Sequence, residues 1–162
     1  MYIMAEDNPV KEFHFKSSIC GSWEKNIDVK SEDGKADTII KQRFVQTIVS
    51  GLREDRDEER MSQKAIDGMT RQFKAGTLPF FPDHGYDSKT GSHYVYSWKQ
   101  MMGVWIDAEQ DGMDLKATVR LNMEHEDQDL FWRFVHVAKM PIGFSIGGRT
   151  KGPKEVVVND GD

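Results

Sequence analysis

The sequence predicts an α+β fold, mainly antiparallel β. Three observations lead there. The clearest is residues 101–122, where two alternating runs flank Asp111-Gly112, a preferred hairpin turn. The second is the number of other short alternating or β-branched runs along the chain. The third is that the two amphipathic helical stretches, near 62–76 and 125–139, do not alternate regularly with strands, which excludes a doubly wound parallel sheet. The architecture expected is a barrel or sandwich with about two packed helices. A length of 162 residues suits one domain with one core. A chain of that size buries roughly 68–70% of its extended surface and needs neither metal nor disulfide to fold.

The elements follow in order. Residues 1–9 read as a flexible N-terminus, and 10–162 as a single domain. Val10–Lys16 alternates, with Phe13 and Phe15 on the face to be buried. Residues 24–42 are polar and contain Asp33-Gly34, a turn signal, so they read as a long loop with strand character at its ends. Arg43–Ser50 (RFVQTIVS) is β-branched and reads as a strand. The charge run Arg53–Arg60 reads as a solvated loop. Ser62 then caps a helix whose stripe is Ala65, Ile66, Met69 and Phe73, and Gly76 stops it. TLPFFPDHG (77–85) is an apolar strand ending at Asp83-His84-Gly85; 86–92 is a turn, and HYVYSW (93–98) alternates as a strand.

After the 101–122 hairpin, HEDQDLFWRFVHVAK (125–139) predicts the second helix. Its first turn is acidic and Lys139 lies in its last, both favourable to the helix dipole. Leu130, Phe131, Phe134 and Val137 or Ala138 form its apolar stripe. Pro141 ends it, PIGFSIGG (141–148) follows as a small-residue strand, and a Gly-Pro turn leads to a short EVVV strand. Trp98, Trp105, Phe131, Trp132 and Phe134 are expected in the core or at its edge, with Trp132 the one suited to facing a partner.

Composition narrows the function. Twenty-two basic residues against 27 acidic give a net charge of −5, which offers no basic surface for nucleic acid. The single cysteine, Cys20, cannot form an internal disulfide and fits a reducing compartment. No apolar run approaches the ~20 residues of a membrane span, and the first residues lack the basic start and apolar stretch of a signal peptide. The expectation is a soluble intracellular protein with no nucleic acid or membrane partner.

The chemistry centres on Ser145, in Gly143-Phe144-Ser145-Ile146-Gly147, a literal G-x-S-x-G. An α/β-hydrolase elbow is excluded. That motif needs a helix after the serine and a downstream histidine, whereas 149–162 contain no histidine and the helix precedes the serine. A serine hydroxyl still needs a base, and all five histidines lie upstream. His84 is the best placed, at the end of an apolar strand and followed by Gly85, which lets another chain approach. His14 and His93 lie on alternating strands, His125 at a helix start, and His136 off the apolar stripe. A metal site from His84, His93, Asp83 and Asp87 has no H-E-x-x-H or paired Cys/His spacing behind it. DHGYDSKTGS fails the calcium-loop pattern, and GFSIGG lacks the helix a phosphate cradle requires. No cofactor and no metal are expected.

Taken together, LREDRDEERMSQKAIDGM, FFPDHG, MGVWIDAEQDGMDLKATVRLN, DLFWRFVHVAK and PIGFSIGG resemble the prohead (capsid maturation) serine proteases of tailed phages, a family of herpesvirus-assemblin-like fold. The resemblance covers roughly residues 44–148 and rests on order and spacing rather than on one motif. It implies a closed or partly open β-barrel with about two packed helices, and a serine endopeptidase in which His84 is the general base and Ser145 the nucleophile. Backbone amides near Gly147, Gly148 or Arg149 are the candidate oxyanion donors. The implied partners are the phage scaffold and major capsid proteins, together with other copies of the chain through oligomerisation and autocleavage. The implied place is the cytoplasm of an infected bacterium, inside the assembling prohead. In the family the third catalytic residue lies well downstream of the serine. Here Glu155, Asp160 and Asp162 are the downstream acids. The resemblance implies that the strand carrying it is absent from residues 10–162. A catalytically inactive, protease-like assembly or scaffold component is the alternative.

Overall fold

The polar stretch 24–42, expected as a loop, is the greater part of a long hairpin. In the computed structural model, which describes residues 18–30, 32–34, 37–53, 61–82, 86–87, 92–93 and 98–144, β1 (Ile19–Lys30) pairs antiparallel with β2 (Asp37–Gly51). The turn falls where Asp33-Gly34 predicts it, with Gly34 at φ 67°, a left-handed conformation open to glycine without steric cost. Polar composition hides the period of the strands. Trp23, Ile27 and Val29 share one side of β1 and stand opposite Phe44, Ile40 and Thr38, and such cross-strand pairs hold a hairpin together. Beyond Phe44 no third strand joins among the described residues, and Ile27, Val29, Ile39 and Ile40 are exposed on this two-stranded arm.

Helix α1 (Gln63–Lys74) forms as predicted. The Ser62 hydroxyl accepts the Ala65 amide at 3.2 Å, and Gly76 follows at φ 71°. Ile66 and Phe73 are its buried residues. Among the described residues of the apolar run 77–85, Leu78–Phe80 form a three-residue strand, β3. Two short strands, β4 (Tyr86–Asp87) and β5 (Ser92–His93), pair with each other. Of the strand expected over 93–98, the described residues are His93, in β5, and Trp98, which opens a 3₁₀ turn, Trp98–Gln100. Trp98 is 76% exposed, a correction to its expected place in the core.

The central hairpin is β6 (Gly103–Asp111) and β7 (Asp114–Leu121). Asp111 pairs with Asp114, so the loop residues are Gly112 and Met113, with Gly112 at φ 60°. Glycine at the first of two central positions suits a tight hairpin whose twist matches the strands. The sheet order is β1-β2-β7-β6-β3, antiparallel throughout. Among the described residues it is open, with β1 and β3 at its edges, and it is not closed into a barrel. Val45, Trp105, Ala117, Val119 and Leu121 face the helices and form the core with Ile66, Phe73, Trp132 and Val135. The opposite face carries Trp23 stacked on Phe44, ring centroids 5.6 Å apart.

The second helix begins three residues later than expected. It consists of α2 (Gln128–Trp132) continued by a π-helical turn, Arg133–Val137, with Ala138 N–H donating to the Arg133 carbonyl. Its buried residues are Gln128, Trp132 and Val135, with Phe131 partly buried. Trp132, expected to suit a partner, is instead 4% exposed and lies in the core beneath Arg43. Leu130, Phe134 and Val137, three members of the expected stripe, are 44%, 44% and 70% exposed. The helical period of the prediction holds, and its phase is corrected. The strand expected at Val10–Lys16, the flexible 1–9 and the EVVV strand lie outside the described residues.

Gly103 opens β6 opposite Phe80 and Leu121. A Cβ there would lie 2.6 Å from the Arg120 carbonyl oxygen and 2.9 Å from a Val119 methyl. Backbone cannot yield cheaply, so Gly103→Ala lowers stability by about 1–3 kcal/mol in chemical denaturation. Gly21→Ala, whose Cβ meets nothing within 4 Å, leaves it nearly unchanged. Equal effects from the two would contradict the account of Gly103.

Candidate functional site

Four aromatic rings from four parts of the chain meet on the helix side of the sheet. Phe80 closes β3, Trp105 lies in β6, Phe131 in α2, and Phe144 in the segment after the π turn. Phe80 and Phe144 stack at 5.4 Å and 26°; Phe144 meets Trp105 edge-on at 6.1 Å and Phe131 at 6.0 Å. Phe80 also meets Trp105 at 5.6 Å and Phe131 at 5.8 Å, and Phe73 of α1 abuts Trp105 at 5.2 Å. Each such pair is worth roughly 0.5–1.5 kcal/mol beyond the area it buries. The cluster therefore ties the chain entering 81–85 to the chain entering 145.

Among the described residues the segment 141–144 belongs to no strand ladder. Its exposure alternates: Pro141 and Gly143 are exposed, Ile142 and Phe144 partly buried. A hydroxyl holds it. Ser18 Oγ donates to the Ile142 carbonyl at 3.2 Å and accepts the Phe144 amide at 3.2 Å. Behind it, Thr47 Oγ1, fully buried, lies 3.0 Å from both Ser18 Oγ and the Ser18 carbonyl. Sequence reasoning missed both residues.

His84 and Ser145, the expected base and nucleophile, lie outside the described residues, as do Asp83, Gly85, Gly147, Gly148, Arg149, Glu155, Asp160, Asp162 and His14. The other histidines have structural partners or none described. His93 is a β5 residue paired with Tyr86. His125 Nδ1 accepts the Asp127 amide at 3.1 Å and shapes the turn before α2. His136 stacks on Trp132 at 4.4 Å and hydrogen-bonds Ser22 Oγ through Nδ1 at 2.8 Å. That Ser-His contact pins the π turn to β1. Ser22 shares its face of the strand with Glu24, toward the helix, and neither of two surface concavities of about 350 Å³ includes it. Those lie beside the Trp23-Phe44 stack and beside Gly103 and Asn122.

Among the described residues no group of three His, Cys, Asp or Glu side chains is placed to hold a metal ion. No helix there is long and apolar enough to cross a membrane. Comparison with protein-family models, with curated proteins and with solved structures gave no match.

Arg43 anchors the helix that supplies Phe131. It donates to Asp129 at 2.8 Å, Glu24 at 3.0 Å and Gln128 at 3.3 Å, and its guanidinium lies 5.0 Å from the Trp132 ring centroid. Burial works against its charge, but the bonds to Asp129 and Glu24 outweigh that and raise its pKa. In return, the hydrogen bonds from Arg43 hold the Asp129 and Glu24 carboxyls below their ordinary range. A depressed folded pKa contributes stability above the unfolded value, lost as pH falls through the folded one. Both carboxyls lie on the surface, where salt screens the effect. Arg43→Gln therefore lowers the urea midpoint most near neutral pH, and the gap from the natural chain narrows below about pH 4. A gap independent of pH would contradict this.

Proposed function

We propose that this chain is a serine endopeptidase of phage head maturation, with Ser145 as nucleophile and His84 as general base. The observation that carries the reading is the stack of Phe144 on Phe80. Phe144 immediately precedes Ser145, and Phe80 precedes His84 by four residues. At most ~3.3–3.6 Å is spanned per residue, so covalent reach leaves the imidazole and the hydroxyl able to meet. The alternation of 141–144 adds to this: Phe144, the residue before Ser145, turns its ring inward while Pro141 and Gly143 are exposed. Gly103 and Trp105, prominent in the resemblance, also have physical roles, one in letting β7 approach and one in the ring cluster.

The chemistry follows from the pair. His84 takes the Ser145 proton as the oxygen attacks a peptide carbonyl, the charge on the carbonyl oxygen falls to backbone amides near Gly147, Gly148 or Arg149, and His84 returns the proton to the leaving amine. Water then releases the acyl group by the same route. Scaffold protein and the major capsid protein are the substrates, in the cytoplasm of an infected bacterium inside the assembling prohead. A barrel in this reading requires strands outside the described residues to join the β1 and β3 edges, and the third catalytic residue belongs to such a strand.

A second copy is the partner this reading assigns to the exposed row Leu130, Phe134 and Val137. In an antiparallel helix pair Phe134 lies near the two-fold axis, Leu130 meets Val137, and acidic Asp127 approaches Lys139 of the other copy. Phe134→Glu then shifts the light-scattering mass from dimer to monomer. A natural chain that is monomeric at every concentration tested would contradict the pairing.

Incubation with scaffold and capsid proteins tests the catalytic reading. The natural chain cuts them; Ser145→Ala and His84→Ala each lower the rate by at least ~10⁴-fold. Cleavage that survives Ser145→Ala would remove the nucleophile assignment. Binding without cutting would favour a protease-shaped assembly component.

A further inference from the structure

We propose that Ser18, backed by buried Thr47, is a positioning residue for Ser145; the inference rests on the reading of Ser145 as nucleophile. The chain just before Ser145 has backbone groups but no neighbouring strand to satisfy them among the described residues. Ser18 takes that place. Its hydroxyl can donate once and accept twice. It donates to the Ile142 carbonyl, accepts from the Phe144 amide, and offers its remaining acceptor site to Thr47 Oγ1, whose single proton is shared between the Ser18 hydroxyl and the Ser18 carbonyl, both at 3.0 Å. In an extended chain the groups of residues two apart point the same way. One hydroxyl therefore grips 142 and 144 from one side and leaves Gly143 facing the other.

The grip is itself held. The Ser18 carbonyl accepts the Ile48 amide at 2.8 Å, which keys residue 18 to β2. Thr47 is fully buried, so its hydroxyl has no water to turn to and remains aimed at Ser18. The ring of Phe144 is fixed on the opposite flank by Phe80, Trp105 and Phe131. Hydroxyl on one side and rings on the other set both the lateral position and the twist of the chain as it enters Ser145. A displacement of about 1 Å at a reacting group costs up to ~10²-fold in rate, so a clamp of this kind acts on chemistry more than on stability.

The test is the second-order rate at which a fluorophosphonate probe labels Ser145 in the full 162-residue chain, corrected for the folded fraction and mapped by peptide mass. Ser18→Ala and the shape-conserving Thr47→Val lower that rate by roughly 10- to 100-fold while the molecules remain folded. Ser18→Thr and Thr47→Ser, which keep the hydroxyls, retain most of it. In peptide cleavage the loss appears in kcat with KM nearly unchanged. Labelling of both hydroxyl-free variants at the natural rate overturns the positioning role and leaves the nucleophile in place. A natural chain that does not label at Ser145 overturns the nucleophile reading, and the positioning role with it.

Discussion

The structure depends on the packing of Phe144 against Phe80, Trp105 and Phe131. Each ring comes from a different element, and among the described residues only β3 and β6 of those elements are joined by a strand ladder. β3 is three residues long and, among the described residues, pairs with β6. The segment 141–144 pairs with no strand among the described residues. Without the rings, the ends of these two pieces would have little to fix their separation. With them, Phe80 and Phe144 are stacked together although more than sixty positions of sequence separate them.

Two polar devices support the rings. Arg43 reaches from β2 to Asp129 and Gln128 and lies over Trp132, so the helix carrying Phe131 has a fixed seat on the sheet. Ser18 and Thr47 do the same for the segment carrying Phe144. The two differ in kind. The Arg43 contacts lie at the surface and respond to pH, whereas the Thr47 hydroxyl sits in the core and answers to geometry alone. A buried hydroxyl left without a partner is costly, which makes the Thr47-Ser18 contact specific rather than adaptable.

Local chemistry made much of the fold legible. Asp33-Gly34, Ser62, Gly76 and Gly112 act through their own backbone conformation or a neighbour within three residues, and each is where the sequence places it. What failed was decided at a distance. Residues 24–42 look polar because much of their hairpin projects beyond the sheet, so its side chains meet water although its backbone is paired. In the second helix two apolar stripes compete, Leu130-Phe134-Val137 and Phe131-Trp132-Val135. The choice falls to partners elsewhere, Arg43 above Trp132 and the rings around Phe131. Thr47 did leave a trace, as a hydroxyl in the buried alternation of Val45, Thr47 and Val49. Ser18 left none, since its partner Ile142 is 124 positions away.

The proposed site inherits this division. The choice of Ser145 and His84 came from residue type, order and resemblance, while the contact that supports it is a tertiary one no local pattern predicts. The distance between the His84 imidazole and the Ser145 hydroxyl in crystals of the protein tests the account most directly. The account predicts nitrogen and oxygen within ~3.5 Å, or joined by one water. An imidazole and a hydroxyl directed to opposite faces of the Phe80-Phe144 stack would contradict it.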